Sequence, residues 1–277
     1  MPERIDRFVD VFAGGGSAFL NANAKSVVAN DLSQELVALH KFLSSYKNSP
    51  EALFERLFQI VDECGLSCSA RGLKTPDELR KTYPKTYYSR FNRHAYLELR
   101  GRYNSGERDP AILYILLIYG FNRMLRFNSR GEFNLPPGNV DFNENVVQAL
   151  EGYLQFHRNT SVKFFSRDFQ EFTQYVKPRS DDFVYFDPPY LLSRSEYNKL
   201  WNEGAERALY KVIDQLHEEG IKFGISNLLR HKGETNHLLE AWSTRFQIHE
   251  IKSNYISFND NSIKRDSVEV YITNHEQ

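Results

Sequence analysis

Cysteine is scarce in this chain, which has only two, Cys64 and Cys68, among 277 residues. Two thiols cannot build the disulfide framework of a small secreted domain, so we expect a reducing compartment. The three-residue gap between them is not complemented by a second cysteine pair or by spaced histidines. We therefore expect no metal site.

Long hydrophobic runs are also missing, because no apolar stretch reaches the length needed to span a bilayer. The amino terminus lacks the charged and apolar regions of a signal peptide. The sequence therefore predicts a cytoplasmic protein with one large domain, or one domain that carries a sizeable insertion.

A net excess of charge is absent, because 35 Lys and Arg nearly balance 36 Asp and Glu. This balance alone argues against a nucleic-acid partner, but the distribution reverses the argument. Residues 71–130, the basic window, hold 13 Lys and Arg against 5 Asp and Glu. Basic side chains interleaved with rings are typical of surfaces that bind phosphates and bases. Each tyrosine taken singly fits a core better than a binding surface, whereas the arginines as a cluster do not. The rings of this window include Tyr83, Tyr87, Tyr88, Phe91, Tyr96, Tyr103 and Phe121.

Strand and helix patterns alternate along the chain, which predicts an α/β fold with a mainly parallel sheet covered on both faces. The last two strands have no helical pattern between them, so we expect an antiparallel edge there. A helical insertion over 50–158 would separate a domain formed by 1–49 and 159–277 into two sequence segments. The seven predicted strands are 7–12, 26–30, 162–165, 183–186, 221–226, 246–251 and 268–272.

A glycine-rich turn, Gly14 to Gly16, follows Phe12 at the end of the first predicted strand. Glycines there let the backbone turn tightly and approach a ligand closely. Asp31 follows the second strand, 17 positions beyond Gly14, where a carboxylate can accept hydrogen bonds from both ribose hydroxyls. No Lys-Ser/Thr follows the glycines, so the pattern fits an adenosine-containing cofactor and not a phosphate loop.

Asp168 lies just beyond the third predicted strand, at the same edge of the sheet. It could bind the amino group of an adenine, with Phe169 covering the ring. It could equally cap the helix that begins near Gln170, and the sequence alone leaves both interpretations open.

The tetrapeptide Asp187-Pro188-Pro189-Tyr190 follows an apolar run that reads as a buried strand. Ligands of open α/β sheets collect at the carboxyl ends of such strands. Prolines lack an N–H, so the backbone cannot continue a ladder there and its carbonyls are free to accept hydrogen bonds. The motif can therefore hold a planar ring that stacks on Tyr190 and points an amino group at Asp187 and a carbonyl. The simpler alternative is an exposed Asp in a Pro-Pro turn.

The glycine-rich turn, the ribose carboxylate and the Asp-Pro-Pro-Tyr motif together resemble the S-adenosylmethionine-dependent DNA amino-methyltransferases. The segment from Phe121 to Pro136 is similar to the recognition loop of the Dam-type adenine methyltransferases, and 256–270 resembles that family's last motif. The resemblance implies a Rossmann-like methyltransferase sheet with a helical target-recognition insertion. It also implies methyl transfer from S-adenosylmethionine to the exocyclic nitrogen of an adenine that is flipped out of double-stranded DNA.

The resemblance also implies residue roles. S-adenosylmethionine would be held by Phe12, Gly14, Gly16, Asp31, Asp168 and Phe169, and the flipped adenine by Asp187, Pro188 and Tyr190. Arg126 would read a guanine, for which a bidentate guanidinium is the commonest specific contact, although a phosphate contact is an alternative. The implied DNA-binding residues are Phe121, Asn122, Met124, Arg126, Asn128, Arg130, Pro136, Ser257 and Arg265.

Members of the family carry a short motif with Gly and Lys upstream of the glycine-rich strand, and no such motif precedes Asp10. A missing amino-terminal segment or a partner chain could complete the cofactor site. The alternative function is therefore a DNA-binding, methyltransferase-like subunit that needs a partner. The resemblance further implies a DNA target that contains 5′-GA, with GATC as one candidate. It leaves open whether the chain acts in a restriction–modification pair, in a phage or as a housekeeping enzyme.

Overall fold

The computed structural model describes residues 1–73, 75–193, 201–251 and 267–275. The chain divides into two compact units. The sheet unit comprises 1–34 and 160–277, and the helical unit comprises 35–159. No helix in the described ranges has both the length and the apolarity that a membrane span requires.

The sheet unit is built on a mostly parallel sheet, in which the order of the strands in the described residues is β3-β2-β1-β4-β5-β8-β7. Strand β8 runs antiparallel to both of its neighbours, β5 and β7, and the short β6 pairs with the end of β5. The strands are β1 Ile5–Asp10, β2 Ala24–Asn30, β3 Ser161–Phe165, β4 Asp182–Phe186, β5 Lys222–His231, β6 Glu234–Thr235, β7 Gln247–Ile251 and β8 Val268–Thr273.

Helices cover this sheet and form the whole framework of the helical unit. The helices of the described residues are α1 Gln34–Ser45, α2 Pro50–Cys64, α3 Asp77–Thr82, α4 Tyr87–Asn104, α5 Pro110–Tyr119, α6 Glu144–Asn159, α7 Phe169–Val176, α8 Glu203–Glu218 and α9 His237–Ser243.

The central strand β4 is buried along its whole length, as expected for a strand covered on both faces. One face of the sheet packs Val9, Val184 and Ile225 into a core that also contains Leu209 and Ile213 of α8. Burial of this apolar face fixes the register of the parallel strands. It therefore also fixes which residues emerge at their carboxyl ends.

The core of the helical unit is centred on α5, which is apolar nearly all round and almost completely buried. Pro110 occupies the first helical turn, where its missing N–H costs nothing, and the Asp109 side chain accepts from the Ala111 amide at 2.8 Å. Leu39 and Leu43 of α1 join the same core. This packing is why the first boundary between the units falls at 34/35, earlier than the expected 49/50.

The predicted α/β sheet is confirmed, with an antiparallel pair at the β7 edge. Strand β6 was not predicted, because two residues carry no periodic pattern. Helix α4 begins at Tyr87, within the insertion that the sequence predicts to be helical. The window 87–91 is rich in rings and lacks an apolar stripe, so its helical state depends on its neighbours in the fold.

Candidate active site

The glycine-rich turn and the Asp-Pro-Pro-Tyr motif leave the sheet side by side. Strands β1 and β4 are parallel neighbours with Asp10 opposite Tyr185, and the Val11 amide donates to the Tyr185 carbonyl at 3.0 Å. The chain order reverses between these two strands, because β1 is flanked by β2 on one side and β4 on the other. Ligands of open α/β sheets bind at the carboxyl edge of such a switch point. The fold therefore brings the two predicted motifs together.

Asp31 organises the glycine-rich turn. Its Oδ2 accepts from the Gly14 amide at 3.0 Å, and its Oδ1 accepts from the Ser33 amide at 2.9 Å. Gly14 and Gly16 have positive φ angles of 50° and 89°, which residues with a side chain rarely adopt. A Cβ atom on Gly16 would also lie 2.7 Å from the Phe19 ring. Each Asp31 oxygen keeps a lone pair that a ribose hydroxyl can use.

Asp10 is a residue that the sequence interpretation did not assign. It is fully buried, and neither carboxylate oxygen has a hydrogen-bond partner. Burial raises the pKa of Asp10 well above its usual range, and the nearby Asp187 and Asp31 carboxylates raise it further. The backbone N–H groups of Phe19 and Phe12 lower it, although neither meets the carboxylate at full hydrogen-bond geometry. A buried polar group without a partner is costly and calls for a ligand or another functional explanation. The sequence feature that could have identified Asp10 is its position between two valines at the end of an apolar strand, where a charged residue is unusual.

Three rings lie together beside the glycine-rich turn. The Phe12 centroid is 5.7 Å from both the Phe169 and Trp201 centroids, and Phe169 and Trp201 are 5.8 Å apart. The Trp201 indole N–H donates to the buried Glu206 at 2.6 Å, which fixes the ring. Trp201 was missed by the sequence interpretation, because its distance along the chain gave no indication of this contact.

Asp168 caps α7, because its Oδ1 accepts from the Gln170 amide at 2.9 Å. Of the two roles that the sequence left open for Asp168, the structure contains the helix cap. One oxygen of the carboxylate takes part in this bond, so Oδ2 can still meet a ligand amino group. Phe169, the next residue, joins the three-ring cluster.

Asp187 and Tyr190 form a hydrogen-bonded pair that Glu269 extends. The Tyr190 hydroxyl lies 3.1 Å from Asp187 Oδ1 and 2.9 Å from Glu269 Oε1 of β8. Asp187 keeps an exposed side, while Pro188 beside it is buried. The pKa of Asp187 is nevertheless raised to about 6, mainly because the surrounding protein buries the carboxylate. The hydrogen bond from Tyr190 lowers this pKa, and the negative charge of Glu269 raises it. Asp187 can therefore change its protonation near neutral pH.

The predicted recognition loop of the helical unit is an ordered hairpin. The Phe121 amide donates to the Pro136 carbonyl at 2.8 Å, and isolated bridges join Gly120 to Pro137 and Phe127 to Phe133. At its base, Gly120 and Gly138 approach so closely that a Cβ on Gly138 would lie 2.6 Å from the Gly120 carbonyl oxygen.

One side of the hairpin is strained and partly exposed. Asn122 and Arg123 both have positive φ angles, 55° and 53°, which cost of order 1 kcal/mol or more each. The side-chain nitrogen of Asn122, Nδ2, is buried and has no hydrogen-bond partner. Half of the Phe121 surface is exposed. Met124 follows as a half-buried residue that packs on the core of the helical unit. Strain of this kind is typical of functional sites.

Three of the predicted DNA-binding side chains form bonds within the loop. Arg126 donates from Nε to the Asn134 side chain at 2.8 Å and from Nη2 to the Asn134 carbonyl at 2.9 Å. Asn128 accepts from the amides of Arg130 and Glu132 and donates to the Glu132 carboxylate. Asn128 therefore builds the turn, and the Arg130 side chain is held in the same turn by the Glu132 carboxylate, which accepts from Arg130 Nε at 3.1 Å. Ser257 and Arg265 lie outside the described residues.

The rings of the basic window divide into two groups. Tyr96 and Tyr103 are buried in the core of the helical unit, as the simpler interpretation expected. Tyr83, in contrast, is exposed, and the Arg90 guanidinium lies 3.7 Å from its ring centroid. Arg80 lies 5.0 Å from the Tyr87 ring in the same way. These stacked pairs keep two guanidinium groups at the surface of the helical unit.

The geometry places a glycine-rich turn at the edge of an α/β sheet beside a carboxylate and an aromatic ring. The family model for "D12 class N6 adenine-specific DNA methyltransferase" matches residues 1–256. The chain belongs to this family, and the predicted resemblance is confirmed.

Individual relatives support this assignment. The chain is 32% identical to the modification methylase StsI of Streptococcus sanguinis and 31% identical to the type II methyltransferase M.FokI of Planomicrobium okeanokoites. Both alignments cover 99% of this chain and 40% of the relative, so the chain spans less than half the length of these two proteins. It is 28% identical to M1.LlaDCHI of Lactococcus lactis subsp. cremoris, over 88% of that protein.

Proposed function

We propose that this chain transfers a methyl group from S-adenosylmethionine to the N6 atom of an adenine flipped out of double-stranded DNA. The observation that carries the proposal is the position of the Asp187 and Tyr190 pair beside the glycine-rich turn, at the switch point of the sheet. A base inside a duplex cannot reach such a recessed site, so it must be rotated out at a cost of a few kcal/mol. Stacking on Tyr190 would offset part of that cost.

The residues around the glycine-rich turn fit the methyl donor. Asp31 and Asp187 form no ion pair with a lysine or arginine in the described part of the chain, and S-adenosylmethionine carries a sulfonium and an ammonium group. The buried Asp10 carboxyl would ionise once such a cation lay against it. Asp31 has lone pairs available for ribose hydroxyls, and the three-ring cluster offers apolar surface to an adenine. When bound, S-adenosylmethionine supplies an activated methyl group.

Asp187 prepares the adenine amino group for attack. The lone pair of that nitrogen is delocalised into the ring and is a poor nucleophile. Asp187 and the Pro188 carbonyl would accept its two hydrogens, which draws the nitrogen toward a tetrahedral shape and frees the lone pair. As the new N–C bond forms, the bond between the methyl carbon and the donor sulfur would break and leave its electron pair on sulfur. One N–H bond of the adenine then breaks, its electron pair stays on nitrogen, and Asp187 takes the proton. Correct alignment of the reacting atoms supplies much of the acceleration.

The hairpin supports recognition of duplex DNA. Phe121 is exposed beside the strained Asn122, and a ring there can fill the gap left by a flipped base. Arg126 is braced by Asn134 and is our candidate for reading the guanine of a target that contains 5′-GA. Several relatives are named modification methylases, so we assign the activity to a restriction–modification pair.

The test is direct. The purified chain is incubated with unmethylated plasmid DNA and S-adenosylmethionine, the DNA is digested to nucleosides, and N6-methyladenine is measured by mass spectrometry. Single-molecule sequencing of the same DNA then reads the methylated site. We expect N6-methyladenine at one short sequence. Methylation of cytosine, or of adenine without a sequence preference, would contradict the proposal.

The rate of methyl transfer should depend on pH through Asp187. Its pKa is raised to about 6, and only the ionised form accepts the amino hydrogens. The single-turnover rate should therefore be constant above about pH 7 and fall about tenfold for each pH unit well below 6. Rapid-quench measurements between pH 5 and 8 check this. A rate that stays constant down to pH 5 would show that Asp187 does not act in this way.

Asp168 allows its two roles to be separated. A serine keeps the helix-cap hydrogen bond but lacks a carboxylate, whereas alanine loses both. If Asp168 also binds the adenine of the methyl donor, Asp168→Ser should keep the melting temperature and lose about tenfold in S-adenosylmethionine affinity. Asp168→Ala should lose about 1 kcal/mol of stability as well. Calorimetry and thermal unfolding measure both quantities, and wild-type affinity in Asp168→Ser would limit Asp168 to capping.

A second candidate is a DNA-binding subunit whose donor pocket is completed by another chain. The buried Asp10 carboxyl, which lacks a partner, favours it, because a segment that contributes a cationic group could satisfy that residue. Calorimetry with the chain alone decides between the two candidates. Micromolar binding of S-adenosylmethionine supports the self-sufficient enzyme, and absence of binding supports the subunit.

A further inference from the structure

The Tyr190 hydroxyl lies between two carboxylates. It is 3.1 Å from Asp187 Oδ1 and 2.9 Å from Glu269 Oε1, and both distances allow a hydrogen bond. A tyrosine hydroxyl has one proton, so it can make one strong donation at a time. The two carboxylates therefore compete for the same proton, and Glu269 is the nearer acceptor.

The outcome of this competition changes Asp187 as an acceptor. A hydroxyl that donates to a carboxylate stabilises its charge and weakens its hold on other hydrogens. Accordingly, the Tyr190 hydrogen bond lowers the pKa of Asp187, and the Glu269 charge raises it. Burial and the two nearby carboxylates raise the pKa of Tyr190 far above its usual value, so its proton is shared and not lost.

We propose that Glu269 is a positioning residue of this reaction, which holds the Tyr190 proton away from Asp187 and so leaves Asp187 free to accept the adenine amino hydrogens. The proposal rests on the proposed function and deepens it, because it assigns a role to a strand on the far side of β5. It also explains how the Tyr190 ring keeps one orientation before a base stacks on it.

Other groups near Asp187 do not replace Glu269 in this role. The Tyr185 hydroxyl is engaged with the Ser226 hydroxyl at 2.7 Å, and the pKa of Tyr185 is raised by burial. Asp10 is fully buried with a pKa well above its usual range, so it contributes little charge. No lysine, arginine or histidine in the described ranges forms an ion pair with Asp187. Among the described residues, Glu269 is thus the charged group that determines where the Tyr190 proton lies and how strongly Asp187 accepts hydrogens.

The first test does not require activity. The side-chain carboxyl of Asp187 is titrated by carbon-13 NMR in the wild-type chain, in Glu269→Gln and in Tyr190→Phe. Glu269→Gln removes the charge and returns the Tyr190 proton to Asp187, so the midpoint should fall by about one pH unit. Tyr190→Phe keeps the ring and removes the donor, so the midpoint should rise. Two neighbours that shift one midpoint in opposite directions are not explained by a general loosening of the site.

The second test links this balance to methyl transfer. Under single-turnover conditions with tritiated S-adenosylmethionine and unmethylated plasmid DNA, Glu269→Gln should lower the plateau rate about tenfold and move the acid limb to lower pH. Equilibrium binding of DNA and donor should stay within about twofold of wild type. Glu250→Gln is the matched control, because Glu250 is exposed on the adjacent β7 and carries the same charge. It should change neither the midpoint nor the rate.

The outcomes are distinguishable. If the wild-type chain transfers no methyl group but the Asp187 midpoint shifts as expected in the two variants, the proposed function is contradicted. The role of Glu269 in holding the Tyr190 proton is then still supported. An active wild type in which Glu269→Gln leaves the midpoint unchanged or raises it overturns the inference and leaves the proposed function intact. Circular dichroism of each variant confirms that the fold is kept, and Tyr190→Phe gives an independent test if Glu269→Gln is unstable.

Discussion

Asp187→Ala should abolish methyl transfer while most of the affinity for DNA and donor remains. The carboxylate accepts a hydrogen of the adenine amino group and takes its proton, and alanine can do neither. Loss of such a group typically costs a factor of about a hundred to ten thousand in rate. The side chain keeps an exposed side and sits after the last residue of β4, so its removal should not disturb the sheet. Rapid-quench assays and DNA titrations measure the two quantities separately.

Asp181→Ala is the matched control for this prediction. Asp181 is also an exposed aspartate, but it lies just before β4, at the opposite end of the same strand. Its replacement should leave the rate within about twofold of wild type. An Asp187→Ala chain that still methylates at close to the wild-type rate would falsify the assignment of Asp187. A chain that loses DNA binding along with activity would point to a structural role instead.

Gly138→Ala should weaken specific DNA binding without affecting the binding of the methyl donor. A Cβ at this position would lie 2.6 Å from the Gly120 carbonyl oxygen and 3.0 Å from the Phe121 amide nitrogen. Both are backbone atoms that cannot swing aside, so the two strands of the hairpin must separate. Overpacking of this kind costs about 1–3 kcal/mol, and it would displace Phe121 from its place beside Pro136. We expect a loss of about tenfold or more in specific DNA affinity.

Gly152→Ala provides the comparison. Gly152 lies in α6, and a Cβ added there would have no atom of another residue within 4 Å beyond its own helix backbone and chain neighbours. Alanine therefore fits at this position and should stabilise the helix by roughly 0.5–1 kcal/mol. Its DNA affinity should match that of wild type. Fluorescence anisotropy with labelled duplexes measures DNA binding, and calorimetry with S-adenosylmethionine measures donor binding. Wild-type DNA affinity in Gly138→Ala would show that the hairpin base does not position the recognition residues.

The sequence predicted the sheet because its signals are local. Strand β4 is a short apolar run followed by two prolines, and Gly14 to Gly16 follow an apolar strand directly. Such patterns report burial and backbone conformation, which neighbouring residues determine. The parallel order then followed from the alternation of strands and helices, and the carboxyl edge of the sheet was the natural place for the site. In this respect Asp31, Asp187 and Tyr190 were within reach of sequence reasoning.

Asp10, Trp201 and Glu269 were not assigned from the sequence, and each for the same reason. Asp10 sits in an apolar strand like an ordinary core position, and only the packing shows that its carboxyl has no partner. Trp201 and Glu269 reach the site from distant parts of the chain, through the ring cluster with Phe12 and the hydrogen bond to Tyr190. Contacts between residues far apart in sequence leave no periodic trace.

By itself, the sequence determined the class of fold, the two motifs at its carboxyl edge and a basic, ring-rich insertion, because periodicity, glycine and proline act within a few residues. The tertiary structure alone decided that Asp187 and Glu269 share the Tyr190 hydroxyl as a hydrogen-bond donor. It also decided which tyrosines of the insertion lie in the core, and that Asn128 stabilises the turn of the hairpin. These features depend on where distant segments meet, and therefore on how the chain packs its apolar faces.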